Sequence, residues 1–295
     1  MGLKLGDKFP DFKANTTEGE IESFYEWIGE GNWAILFSHP ADFTPVCTTE
    51  LARAAILHGQ FEQRKTKLIA LSCDSVEAHE KWSPDIVAYC YRHSKTPEGA
   101  KWCPMDGDCH KGKEAEEMPF PIIADEKREL ATLLGMLDPD EKDSEGIPLA
   151  ARAVFIIDPS RCLKLSFLYP ATTGRNFDEI LRVLDSLQLT AEKKVATPVD
   201  WKVFIIDPSR RLKLSFLYPA TTGRNFDEIL RVLDSLQLTA EKKVATPVDW
   251  KAGDDCMVLP SLSDEEAVQL FGKDNVKPLC VPSGKHYLRL TPQPK

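Results

Sequence analysis

Cys47 stands in "PADFTPVCTTE", residues 40–50, between a turn stiffened by Pro40 and Pro45 and what reads as the first turn of a helix. A thiol is a strong nucleophile only as the thiolate, and a free cysteine ionises near pH ~8.5. A helix N-terminus favours the anion, because unpaired backbone N–H groups and the positive end of the macrodipole face it, and a nearby cation adds to the effect. Thr44, three residues earlier, brings a hydroxyl to the same turn, and the prolines fix its backbone. The arrangement suits nucleophilic or redox thiol chemistry. An isolated cysteine is more often simply buried, so the surrounding residues decide.

The other cysteines, at 73, 90, 103, 109, 162, 256 and 280, form no regular framework, and "MGLKLGDKFP" lacks the basic and apolar regions of a secretion signal. Free thiols in a reducing cytoplasm are therefore expected. Cys103, Cys109 and His110 lie close together, but C-x5-C-H is not a standard zinc spacing, and no metal is expected. With 42% hydrophobic and 28% charged residues among 295, the composition is that of an ordinary globular protein of one or two domains. A net charge of -9 offers no attraction to nucleic acid or an anionic membrane, and no apolar run is long enough for stable membrane insertion.

The elements that must position Cys47 follow from periodicity. "WAILFS" (33–38) and "KLIALSC" (67–73) read as buried strands, and the stretch after Cys47 carries Leu51, Ala54, Ala55, Leu57 and Phe61 at helical spacing. "VEAHEKWSPDIVAYC" and "KRELATLLGML" read as helices, and "FPIIAD" and "RAVFIID" as strands. Such alternation indicates an α/β fold with a central mixed sheet flanked by helices. Residues 91–117 are polar and without period and read as a long surface insertion, the part foreign to the surrounding pattern being about 91–113.

Residues 154–202 recur as 203–251, identical at 48 of 49 positions, with Cys162 against Arg211. Each copy reads as a hairpin turning at Asp-Pro-Ser-Arg, then a helix that Asn176 caps in the first copy, with Glu179 three residues on. Such a unit cannot cover its own apolar face, and two copies are too few for a solenoid. One copy is expected to complete the sheet while the other is displaced from the core. The near-identity points to a recent duplication or to two alternative exons joined in one reading frame; the mass of the native protein separates these.

The string "FSHPADFTPVCTTEL" contains P-x-x-x-T-x-x-C as Pro40, Thr44 and Cys47, and it closely resembles the active-site motif of the peroxiredoxins. "LIALSCDSVEAHEKWSPDI", "LLGMLDP", "LKLSFLYPATTGRNFDEILRVLDSLQLTAEKKVATPVDW" and "PSGKHYLRLTPQP" resemble the 1-Cys group of that family, from about residue 3 to the C-terminus. The resemblance implies a thioredoxin-like peroxidase domain over 3–190, the displaced duplicate at 203–251, and a small C-terminal peroxiredoxin extension over 252–295. It implies reduction of hydrogen peroxide and organic hydroperoxides through a cysteine sulfenic acid on Cys47. It places the pocket arginine at Arg152, a supporting arginine at Arg175, and His39 beside Pro40. Arg152 lies just outside the repeat, so the second copy has Trp201 in its place, with Lys202 next, and cannot supply the arginine. No bound cofactor is implied. Glutathione is the implied external reductant, with a glutathione S-transferase as possible helper, and the chain is implied to form a homodimer.

Two further features of the family bear on this sequence. Cys280, in "PLCVPSGK", lies roughly where two-cysteine relatives place a resolving thiol, although position alone does not make a thiol reactive. The 1-Cys group is also associated with a phospholipase A2 activity using a G-x-S-x-G serine, a histidine and an acid. Here "EGNWA" has Asn32 where the serine belongs, "IESFYEWI" has no histidine, and the acid position is Ser160, so no acyl transfer by that route is expected. The remaining alternative is a catalytically impaired binding or chaperone-like protein, whose pocket the extra 49 residues spoil.

Overall fold

A computed structural model of the chain describes residues 3–93, 117–143, 145–193 and 202–295. Most of the expected insertion, with Cys103, Cys109 and His110, and the end of the first repeat, with Trp201, lie outside the described residues.

The chain opens with a short hairpin, β1 (Ala14–Thr16) and β2 (Gly19–Ile21), and the short helix α1 (Phe24–Ile28). β3 (Trp33–Ser38), α2 (Pro45–Ile56), α3 (His58–Gln63) and β4 (Thr66–Ser72) follow as a crossover unit with β3 and β4 parallel. β3 is buried throughout and β4 at every position but Lys67, which is why both read as continuous apolar runs. α4 (Val76–His93) leads towards β5 (Ile122–Ala124), parallel to β4, and α5 (Glu129–Leu133) precedes a two-stranded hairpin of β6 (Leu137–Lys142) and β7 (Pro148–Ala150).

The first repeat supplies most of β8 (Arg152–Ile157), all of β9 (Leu163–Tyr169) and α6 (Phe177–Lys193); the second supplies β11 (Leu212–Leu217), α7 (Phe226–Glu241) and most of β10 (Lys202–Ile206). The resulting nine-stranded sheet runs β10-β11-β9-β8-β3-β4-β5-β1-β2. β8 lies antiparallel against β3, β9 against β8, β11 against β9, and β10 forms the outer edge. The second copy is not wholly outside the core: Leu214, Phe216, Tyr218 and Val232 join the larger apolar cluster.

Alternate residues of β3 feed two layers. Ile35 and Phe37 face the layer built with α2, α4 and α6, whereas Ala34 and Leu36 face α1 and α5. β12 (Val244–Ala245), near the end of the second repeat, joins β13 (Cys256–Val258), β14 (Lys277–Pro278) and β15 (Arg289–Thr291) of the C-terminal extension in a second, four-stranded sheet, and α8 (Asp264–Phe271) belongs to the same extension. Among the described residues, no helix is long and apolar enough to cross a membrane.

Candidate active site

β3 ends at Ser38 and delivers the chain through His39 and Pro40, both buried, to the start of α2. Thr44 takes the N-cap position in an extended conformation (φ -113°, ψ 147°), with Pro45 in the first helical turn, where its missing N–H costs nothing. Cys47 is therefore the third helical residue, among the orphan N–H groups of the helix start, and it is fully buried. The Thr44 hydroxyl does not cap the helix; it donates to Ala41 O at 2.9 Å and so ties the turn that precedes it.

Arg152, the first residue of β8, reaches across to this helix end. Its Nη1 lies 3.3 Å from Cys47 Sγ and 2.6 Å from Glu50 Oε2, and its Nε and Nη2 donate to Ala171 O at 2.9 and 2.7 Å. Glu50 is one helical turn after Cys47 on the same face. Arg175 grips the same carboxylate with its backbone N–H (2.7 Å), Nε (2.9 Å) and Nη2 (2.8 Å), while its Nη1 donates to Ala153 O at 2.7 Å. The Arg152–Glu50–Arg175 array is almost wholly out of water, with every charged group hydrogen-bonded, as burial of charge demands. Burial opposes ionisation of Glu50, but the two arginines outweigh it and hold the carboxyl below its ordinary range. Burial likewise opposes the Arg152 charge, and Cys47 and Glu50 together more than restore it.

Arg152 and Arg175 thus converge on Cys47 and Glu50, Arg152 touching the sulfur and Arg175 touching only the carboxylate. His39 turns away: its Nε2 lies 2.9 Å from Asp42 Oδ1, while its Nδ1 has no hydrogen-bond partner, so neither ring nitrogen bonds the thiol. Asp42 also meets His79 Nδ1 at 2.7 Å, and His79 Nε2 lies 3.2 Å from Ile123 O. Buried His39, Asp42 and His79 group as metal-site residues do, but both oxygens of Asp42 are engaged by the two rings, which anchor the 39–42 turn to α4 and β5. Burial pushes His39 towards its neutral form despite Asp42.

The remaining walls come from far along the chain. Thr48 Oγ1 donates to Thr44 O (2.9 Å) and accepts from Trp82 Nε1 (3.1 Å), and Tyr287 of the C-terminal extension lies 3.2 Å from it while donating to Asp85. Asp249 accepts from Phe177 N–H and from Arg53 Nε, and Gly174 N–H donates to Thr246 O. A Cβ on Gly174 would fall 2.3 Å from Pro247 O, so only glycine permits this approach. Burial pushes the Cys73 and Cys256 thiols up to about 11 and the Cys90 thiol up to about 12, which keeps these three protonated. Cys280 is exposed, and the described cysteines form no disulfide with one another.

Sequence reasoning missed Glu50, Asp42, His79 and Tyr287. Glu50 carried a readable signal, a carboxylate at i+3 from the cysteine on an otherwise apolar helix face; the others are brought in only by the tertiary fold. Asn32, at the position a lipase serine would hold, uses its amide to donate to Ile28 O at 2.9 Å.

The AhpC/TSA family model matches residues 5–166, and that of the C-terminal domain of 1-Cys peroxiredoxin matches residues 235–273. A 1-Cys peroxiredoxin of Dirofilaria immitis is 52% identical over 295 residues, spanning 100% of this chain and 99% of its own. Peroxiredoxin-6 of Homo sapiens is 49% identical over 293 residues, spanning 99% of each chain. The reduced 2-Cys peroxiredoxin of Plasmodium vivax shares the fold, with a TM-score of 0.52 at 22% identity over 68% of this chain and 89% of that one.

Proposed function

The chain belongs to the 1-Cys peroxiredoxins of the AhpC/TSA family and is a thiol-dependent peroxidase, and we propose that its chemistry runs through Cys47 with Arg152 as the neighbouring cation. The thiolate sulfur attacks the terminal oxygen of a hydroperoxide; an S–O bond forms as the O–O bond breaks, and the departing oxygen takes a proton to leave as water or an alcohol. Negative charge moves from sulfur to oxygen along this path. The Arg152 guanidinium and the α2 N-terminus are fixed beforehand, so they stabilise that shift without reorganising.

Glu50 and Arg175 act as positioning residues that hold Arg152 at the sulfur, Pro40 and Thr44 shape the helix start, and His39 secures the turn before it. The observation that carries the reading is the 3.3 Å approach of Arg152 Nη1 to Cys47 Sγ in a buried site. Cys47→Ser is expected to reduce hydroperoxide consumption to the background rate and to abolish trapping of a sulfenic acid; retained turnover would remove Cys47 from the mechanism.

Regeneration then takes two thiol equivalents from outside. One condenses with the sulfenic acid to a mixed disulfide and water, and the second releases Cys47. Glutathione, with a glutathione S-transferase as helper, is the reductant we propose, in the cytoplasmic setting that fits the free thiols among the described residues. Homodimerisation, implied by the family, would use an edge or face other than β9, whose outer side carries β11. A lipase reading has no support, because an asparagine amide is not a nucleophile.

A further inference from the structure

We infer that the contact between the two repeats is an isologous, homodimer-type interface closed within one chain, the second copy occupying the place of a second subunit against the β9 edge. The inference rests on the duplication and not on the peroxidase reading, so either can fail alone.

The support lies in the reciprocity of the contacts. In an isologous interface, whenever residue i of one unit meets residue j of the other, j of the first meets i of the second. Adding 49 converts a first-copy residue into its equivalent in the second. Phe167 is directly opposed to Phe216, its own equivalent, with ring centroids 4.5 Å apart, so the pseudo-two-fold axis passes between them. On either side, Leu168 opposes Ser215 and Ser166 opposes Leu217, an exchanged pair.

The side chains obey the same rule. Tyr169 donates to Glu228 at 3.0 Å, and Tyr218 donates to Glu179 at 3.1 Å. Arg231 Nη2 donates to Gly174 O and Arg182 Nη2 to Gly223 O, both at 2.9 Å. The ring pairs Phe167–Tyr218 and Tyr169–Phe216 each have centroids 5.0 Å apart. An insertion that merely settled on the nearest apolar surface would have no reason to place these contacts in exchanged pairs. Two units of identical sequence meeting about a two-fold axis do so necessarily.

The second copy also does what a partner subunit does at a shared site. The segment that follows α7 crosses back to the first copy, where Thr246 pairs with Gly174 and Asp249 accepts from Phe177 N–H. The active-site loop of the first copy is therefore closed by the tail of the second. With β9 covered, the chain is closed to a second molecule along that edge.

A double substitution, Ser166→Cys with Leu217→Cys, tests this, since directly opposed residues of an antiparallel pair lie within disulfide reach. After mild oxidation the expected result is a 166–217 bridge inside one chain, found by peptide mapping, with the single-chain mass retained on denaturing, non-reducing electrophoresis. A bridge joining two chains, or no bridge in protein that still consumes peroxide, overturns the inference.

Discussion

The two repeats are the same peptide in two environments. Both form the hairpin, both place its last turn residue in the left-handed region (Arg161 at φ 64°, Arg210 at φ 66°), and both cap the following helix with asparagine. Their apolar residues fare differently. Phe177 is 2% exposed and its equivalent Phe226 is 61%; Leu181 is 7% exposed and Leu230 is 57%. Local sequence fixes turn and cap, but burial is set by β3 and the helices around it, and these occur once. The arginines show the same division. Arg175 is locked onto Glu50, whereas Arg224 lies over the Phe226 ring with its buried Nε lacking a hydrogen-bond partner.

The largest expected effects set the two site arginines, Arg152 just ahead of the first copy and Arg175 within it, against Arg224, the counterpart of Arg175 in the second copy. Arg152→Ala is expected to slow the reaction of Cys47 with peroxide by roughly 10²–10³-fold, the scale on which loss of one fixed charge-stabilising donor acts. Arg175→Ala should fall in the same direction by a smaller factor, because it loosens Glu50 rather than the sulfur's own contact. Arg224→Ala should leave the rate within about twofold, the size of effect expected away from the site. Stopped-flow measurement of the second-order rate constant checks all three; a large loss in Arg224→Ala would mean that the second copy, not the first, serves the thiol.

Acid sharpens the contrast from the side of stability. Glu50 is held below its ordinary range by Arg152 and Arg175 against the pull of burial, so its contribution is present above the ordinary carboxylate value of about 4.5 and is lost as pH falls through the lowered one. His39 is depressed by burial, so below about pH 6.5 the unfolded chain takes up a proton that the folded chain resists, and stability falls there too. Thermal unfolding from about pH 7 to about pH 2 should therefore show a decline in two stages. Glu50→Gln should flatten the lower stage while leaving the upper one, and a decline unchanged by that substitution would assign the acid sensitivity elsewhere.

Phe177→Ala and Phe226→Ala compare the same residue type in the two helices. The first should cost about 3–5 kcal/mol, the range for emptying a buried phenylalanine site. The second removes a mostly exposed ring and should stay within about 0.5 kcal/mol. Urea unfolding followed by tryptophan fluorescence reads both, and equal costs would mean that the copies share the core position.

Much of the site was legible because its key residues are contiguous. Pro40, Thr44 and Cys47 lie within one turn and one helix start, and the strands on either side are unbroken apolar runs. Arg152 was placed by the resemblance, but that it shares Glu50 with Arg175 depends on β8 meeting α2 across the sheet. The helix expected after Cys47 divides at Leu57 into α2 and α3. The β6–β7 hairpin escaped notice, since "LDPDEK" has neither alternation nor β-branched residues. Asn176 caps α6 as expected, but Glu179 does not reach back to complete a capping box; it bonds Arg182, Tyr218 and Asn225. That carboxylate is claimed by the second copy, and no periodicity within one repeat reveals partners 39 and 46 residues away.

The smallest effect is the most discriminating, because it tests where the two copies should agree. Asn176 and Asn225 accept from the first N–H groups of their helices, and each donates its amide to the glutamate of the opposite copy at 3.0 Å. Asn176→Ala and Asn225→Ala should each cost about 1 kcal/mol, the usual worth of an N-cap. Two positions so unequal in surroundings on the core side would give equal costs only if the pseudo-two-fold axis governs their local geometry. A cost confined to Asn176, read by the same urea titration, would show that the second helix is not held against the first in the mirrored way, and the resemblance between the copies would then stop at their backbones.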